Sequence, residues 1–300
     1  MRQAEPAAPA TVEVPFERQP GERGTLRVTK TLAEREDGLL ADSLSGAWLV
    51  ETRVLAARPR GYTLAWTYRA EDTGAAPGSL ARRAIRFDLR TNTLEGVPIV
   101  FRTDRTGQPY EIANGDSLRA ALDRALRRLA PRLAPEQRPA LDVVRATAAT
   151  DDGLENLLLA DAERFYLASG GRYPPGRALT SRSLLPNPFG GAPIPAVTSF
   201  RLSTPAAADS VLTVRWQQTP DAGALARVII NLLREVAPGS PRLSPDEIAQ
   251  RFGVEEEATY RVEQRRGTVL GVDYRKTVRF GGRLRTERTA MEALPKRTPG

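Results

Sequence analysis

Ser117, in the string Gly115-Asp116-Ser117-Leu118, stands where a predicted strand gives way to a predicted helix. From such a junction a serine hydroxyl can attack an acyl carbon, provided a neighbouring base takes its proton. The usual base is histidine, and the chain contains neither histidine nor cysteine. These two absences close imidazole acid–base chemistry, thiolate nucleophiles, zinc-finger and haem ligation and disulfide frameworks together. Lysine occurs three times, as Lys30, Lys276 and Lys296, with no Ser-x-x-Lys spacing, so a serine–lysine dyad or a Schiff base has no motif behind it. The string is therefore read as a helix start, with Asp116 or Ser117 accepting from backbone N–H groups of the first turn.

Carboxylate chemistry has no fixed spacing, and two clusters are visible. Glu255-Glu256-Glu257 reads as a solvated loop before a strand, and Asp151-Asp152 as a cap favoured by the helix dipole. No alternating Asp/Asn calcium loop, phosphate-binding loop or Gly-x-Gly-x-x-Gly string occurs. No catalytic residue, metal ligand or cofactor is assigned, and the balance is against an enzyme.

The formal charge is +8, and 41 of the 44 basic residues are arginine. Residues 116–148 and 256–300 carry the whole excess. A nucleic-acid or anionic-surface binder would start from these segments. In the second, however, Arg265-Arg266, Arg275-Lys276 and Arg283 with Arg285 are interleaved with Glu263, Asp273, Glu287 and Glu292, as on a solvated strand face. Nucleic acid is disfavoured as a partner.

The elements follow from periodicity. From Thr25 to Ile112 the period is two: Trp48, Val50, Thr52 and Val54 share a face, as do Tyr62, Leu64, Trp66 and Tyr68, then Ile85, Phe87 and Leu89, then Val97, Ile99 and Phe101. Helical stripes follow at Leu118–Leu129, at 136–148 and from an Asp151 or Asp152 cap to Phe165. Residues 172–196 read as a Pro/Gly-rich connection, and the uncharged run 183–200 as a lid or a rigid surface link. Strands return at 197–203 and 210–218, helices at 222–236 and 245–252, the latter opened by the Ser244-Pro245-Asp246-Glu247 capping box. Three strands close the chain near 257–265, 268–280 and 283–292. In the middle one Leu270, Val272, Tyr274, Val278 and Phe280 share a face.

Neither strand group closes a sheet alone, and the central helices have apolar stripes that need cover. The expected fold is α+β: a long, curved, half-barrel-like antiparallel sheet wrapping a central group of helices. Residues 1–20 are expected to be a flexible lead, 21–294 a single domain with strands at about 25–112 and 197–292 and helices at about 116–168, 222–236 and 245–252, and 295–300 a tail. Two β domains joined by the helices are the alternative. No run is apolar enough for a spanning helix. Trp48, Trp66, Tyr68, Phe165 and Trp216 lie on apolar faces, where core packing accounts for them. If the curved sheet leaves a cavity over the helices, these five would line it.

Two resemblances bear on function. Gly115–Leu118 resembles the nucleophile block of GDSL esterases, which implies a hydrolase, but the histidine that family uses is missing. The overall layout is similar to half-barrel bacterial envelope proteins such as lipoprotein carriers of the LolA type, and the join Gly107–Asn114 resembles exported β-rich bacterial proteins. That likeness implies a periplasmic or secreted, non-enzymatic protein binding an apolar small molecule or an envelope protein partner. The alternatives are an interaction module without a small ligand and a basic surface binder. The Ala/Pro-rich first twenty residues, with no apolar core of signal-peptide length, fit the mature start of an exported protein.

Overall fold

The computed structural model describes residues 11–71, 94–135, 138–185, 187, 192–203, 211–236 and 244–295. The strands are β1 Val12–Glu13, β2 Arg23–Glu36, β3 Leu39–Arg58, β4 Gly61–Ala70, β5 Pro98–Thr103, β6 Pro109–Ile112, β7 Arg172–Tyr173, β8 Ala178–Leu185, β9 Ile194–Leu202, β10 Val211–Pro220, β11 Phe252–Glu263, β12 Thr268–Phe280 and β13 Arg283–Ala293. The helices are α1 Gly115–Leu129, α2 Pro139–Ala148, α3 Asp151–Leu158, α4 Ala160–Tyr166, α5 Ala222–Val236 and α6 Pro245–Arg251. The expected strand around Ile85, Phe87 and Leu89 lies outside the described residues.

Eleven of these strands form one open antiparallel sheet in the order β6-β5-β4-β3-β2-β13-β12-β11-β10-β9-β8. The N-terminal meander and the C-terminal strands meet where β2 pairs with β13, from Leu26 opposite Ala293 to Glu36 opposite Arg283. The sheet is therefore continuous across the helical insertion. One face is apolar because alternate residues of every long strand turn to it: Leu26 and Val28, Val50 and Val54, Leu64, Trp66 and Tyr68, Leu212 and Val214, Ala258, Tyr260 and Val262, and Met291. Leu118 and Leu122 of α1, Leu154 and Leu158 of α3, and Phe165 and Tyr166 of α4 belong to the same buried cluster. A smaller cluster joins α5 to α6 through Ala226, Ile229 and Ile248.

Several elements depart from expectation, each for a local reason. The cap of α3 is Thr150, whose side chain accepts from Gly153 N, and Asp151 and Asp152 are its first helical residues. The helix expected to continue to Phe165 breaks into α3 and α4 at Leu159. At α1 the N-cap is Asn114, with no side-chain cap bond: its amide accepts from Val100 N and donates to Pro98 O instead, while Asp116 pairs with Arg119. The capping reading of Asp116 or Ser117 is thus corrected. Glu255–Glu257 lies within β11 rather than in a loop, with Glu255 and Glu257 exposed and Glu256 turned inward. Residues 183–185 and 194–200, read as a lid or link, belong to the edge hairpin β8–β9. In β12 a register shift opposite Arg261 and Val262 brings Val269, not Leu270, into the core, and Phe280 is exposed beyond it.

Residues 12–18, read as part of a flexible lead, are built into the fold. β1 pairs with β7, and Val14 and Phe16 are buried. The Phe16 ring meets those of Tyr62 and Tyr166 edge-on at 5.3 and 5.2 Å.

Candidate functional site

At the end of the sheet crossed by this N-terminal segment lies a cavity of about 360 Å³. Leu26, Val54, Leu64 and Trp66 line it from the sheet, and Phe165 and Tyr166 from α4; Arg18, Arg23 and Arg53 are its cationic lining residues. β4 supplies Leu64 and Trp66 to the same side because they are two residues apart on one strand. Trp66 meets Phe165 edge-on at 5.8 Å and donates its indole N–H to Tyr166 Oη at 3.3 Å.

The segment that closes this end is fastened by backbone contacts. Glu17 N donates to Arg266 O at 3.2 Å, the Arg18 guanidinium donates to Glu17 O, Arg266 O and Gly267 O, and Tyr62 Oη donates to Phe16 O at 3.1 Å. Close passage over the β11–β12 turn requires Gly267: its φ is +62°, and a Cβ there would sit 1.4 Å from Pro15 O. Glu22, the carboxylate of the cavity lining, is held by Arg266 at 2.8 Å.

Of the five side chains expected from sequence, Trp66 and Phe165 stand together on the cavity wall. Tyr68 is fully buried beside them and donates to Asp161 Oδ2 at 3.1 Å. Trp216 is buried on β10, stacked on Tyr274 at 6.3 Å. Trp48 is buried over the backbone of Gly46, where an added Cβ would meet its ring at 2.5 Å. These three do not line the cavity. Val54 and Leu64 were visible as members of alternating faces, whereas Arg18 and Tyr166 carried no sequence signal.

Away from the cavity the apolar face carries a polar cluster. Lys30 of β2 and Asp161 of α4 form a buried ion pair at 2.7 Å. Arg164 reaches Asp161 at 3.4 Å and covers the Tyr274 ring at 4.6 Å; Tyr274 donates to Glu256 at 2.5 Å, and Lys276 pairs with Glu256 at 2.9 Å. Burial alone would raise the Glu256 carboxyl, but Lys276 and the Tyr274 hydroxyl outweigh it and hold it below its ordinary range. The same burial pushes the Tyr274 hydroxyl well up, leaving it protonated as a donor. Such an arrangement locks α4 to the sheet.

Among the described residues no three acidic side chains gather to hold a metal ion, and no helix is long and apolar enough to cross a membrane. No family model matches the chain, and no curated protein matches it. Among solved structures, the chain is similar to a protein of Bacteroides fragilis described as exported, with a YmcC-like fold: TM-score 0.24, 9% identity, 94% of this chain and 100% of that one covered. It is also similar to a DUF1329 family protein of Desulfovibrio piger: TM-score 0.20, 8% identity, 92% and 88% covered. At these scores neither likeness bears on function.

Proposed function

We propose that this chain is a non-catalytic carrier whose curved sheet wraps the central helices and holds an apolar ligand between them. The observation that carries the reading is the cavity walled by Leu26, Val54, Leu64, Trp66 and Phe165. Its volume of about 360 Å³ falls within the roughly 300–1,000 Å³ of small-molecule sites. Those apolar side chains face water until an apolar ligand covers them, and that burial is what would drive binding. Ser117 lies in the first turn of α1, and the chain has no histidine to serve as its base. Such a carrier fits a periplasmic or secreted setting, which fractionation of the native host tests.

Native mass spectrometry tests ligand binding. Protein from its own host is expected to carry an additional mass of a few hundred daltons, or to take up dodecanol when stripped. Val54→Trp, which narrows the cavity beside Leu64 and Trp66, is expected to weaken both. Stripped protein that takes up no dodecanol and carries no mass from its host would overturn the reading.

A further inference from the structure

We propose that the cavity takes a neutral, single-chain molecule bearing a hydrogen-bond acceptor such as a ketone or ester carbonyl. The acceptor meets the Tyr166 hydroxyl while the chain lies against Leu64, Trp66 and Phe165. The inference rests on the carrier reading and adds the polar group that the carried molecule presents.

The first observation is the Tyr166 hydroxyl. The residue is 5% exposed and lines the cavity. Its oxygen accepts the Trp66 indole N–H at 3.3 Å, while its own proton reaches no acceptor among the described residues. A phenol both accepts and donates, and here only the accepting half is filled. Trp66, Arg18 and Glu22, the groups that act on this hydroxyl, all line the cavity, which sets it at the cavity wall. Burial pushes its titration up, so it keeps the proton it offers.

The second is a row of residues across the sheet. Gly24 of β2 lies opposite Thr52 of β3, and Thr52 opposite Trp66 of β4. Directly opposed residues project from one face, so the row belongs to the cavity side, with Trp66. Gly24 brings no side chain and leaves space in the cavity floor, where a Cβ would come within 3.0 Å of Thr52 Oγ1. The Thr52 hydroxyl therefore overlooks that space, and it too makes no hydrogen bond among the described residues. A few hydroxyls set into an apolar wall are how such a site orients a ligand by its polar group.

Charge at this end is already answered. Arg266 holds Glu22 at 2.8 Å, and the Arg18 guanidinium donates to three backbone carbonyls. Arg23 and Arg53 alternate with the wall residues and turn to the exposed face of β2 and β3. The arrangement calls for a neutral acceptor rather than an ionic head group.

The experiment binds 2-decanone labelled with carbon-13 at the carbonyl and reads its infrared stretch, which falls when the oxygen accepts a hydrogen bond. Decane, measured by competition with dodecanol, is the chain without an acceptor, and decanoate the charged one. In wild type the stretch is expected below its position in hexane. Tyr166→Phe should return it toward that position and weaken 2-decanone roughly threefold to tenfold, the worth of one neutral hydrogen bond, with decane changed less than twofold. That variant also leaves the Trp66 indole without its acceptor. If it does not fold, Thr52→Val, which removes no hydrogen bond among the described residues, should raise the stretch part of the way. A hexane-like stretch in wild type, or a low one that no folded variant moves, would overturn the inference and leave the carrier standing. So would equal losses of 2-decanone and decane in Tyr166→Phe, decanoate binding tighter than 2-decanone, or dodecanol uptake without 2-decanone uptake. No uptake of any of the chains would overturn both.

Discussion

Lys30 Nζ donates to Asp161 Oδ2 across 2.7 Å, joining the middle of the sheet to α4 over 131 positions of sequence. The carboxylate is fully buried and the lysine nearly so. An ion pair so placed contributes little net stability compared with apolar residues of the same shape, but breaking it from one side is costly. Its effect here is to fix where α4, and with it Phe165 and Tyr166, sits over β4.

Asp161→Leu is therefore expected to destabilise the protein by about 3–5 kcal/mol. Adding Lys30→Met should restore a large part of that loss. Urea unfolding of the two single variants and the double variant checks this; strictly additive losses would show that the residues are not coupled.

Tyr260 is fully buried on β11, and its hydroxyl has no hydrogen-bond partner among the described residues. A buried hydroxyl without a partner costs about 1–3 kcal/mol. Tyr260→Phe should leave the ring in place and raise stability by about 1 kcal/mol. A fall in melting temperature would mean that the hydroxyl is satisfied after all.

Glu256 titrates below its ordinary range in the folded chain because Lys276 and Tyr274 outweigh its burial. A carboxyl depressed by folding contributes stability that is complete above its unfolded pKa, about 4.3, and is lost as pH falls through the lower folded value. Wild type should therefore lose more stability than Glu256→Gln between about pH 5 and pH 3. Chemical denaturation at each pH measures the difference, and parallel curves for the two proteins would contradict it.

Capping distinguishes two hydroxyls that the sequence does not. Thr150 accepts from Gly153 N at 3.1 Å, so Thr150→Ala is expected to cost about 1 kcal/mol. Ser117 lies past the N-cap of α1, where no side-chain cap bond forms. Ser117→Ala should change stability by less than about 0.5 kcal/mol, and thermal unfolding ranks the two.

Much of the sheet was legible because its strands are wet on one side. The alternation of Trp48, Val50, Thr52 and Val54, or of Leu212, Val214 and Trp216, follows directly from a pleat with one buried face. What could not be read was anything decided by distant partners. β8, Ala178–Leu185, is an edge strand with most of its side chains exposed, so it lacks an apolar rhythm. The register shift in β12 that exchanges Leu270 for Val269 depends on its partner β11. Asn114 rather than Asp116 became the N-cap because its amide is drawn to β5. At the cavity, Trp66 and Phe165 were within reach of pattern reasoning. Arg18 was not, because its position depends on the chain before β2 crossing the turn at Gly267, a contact 249 residues away in sequence.

The most direct test of the central claim uses Trp66, one of three tryptophans and the one that lines the cavity. With Trp48 and Trp216 replaced by phenylalanine, Trp66 alone reports, and dodecanol brominated near its chain end is the quencher. A chain held against the cavity wall predicts saturable quenching of Trp66 that an excess of unbrominated dodecanol reverses. Trp66 fluorescence unchanged through the titration, or quenched linearly without saturation, would contradict the account.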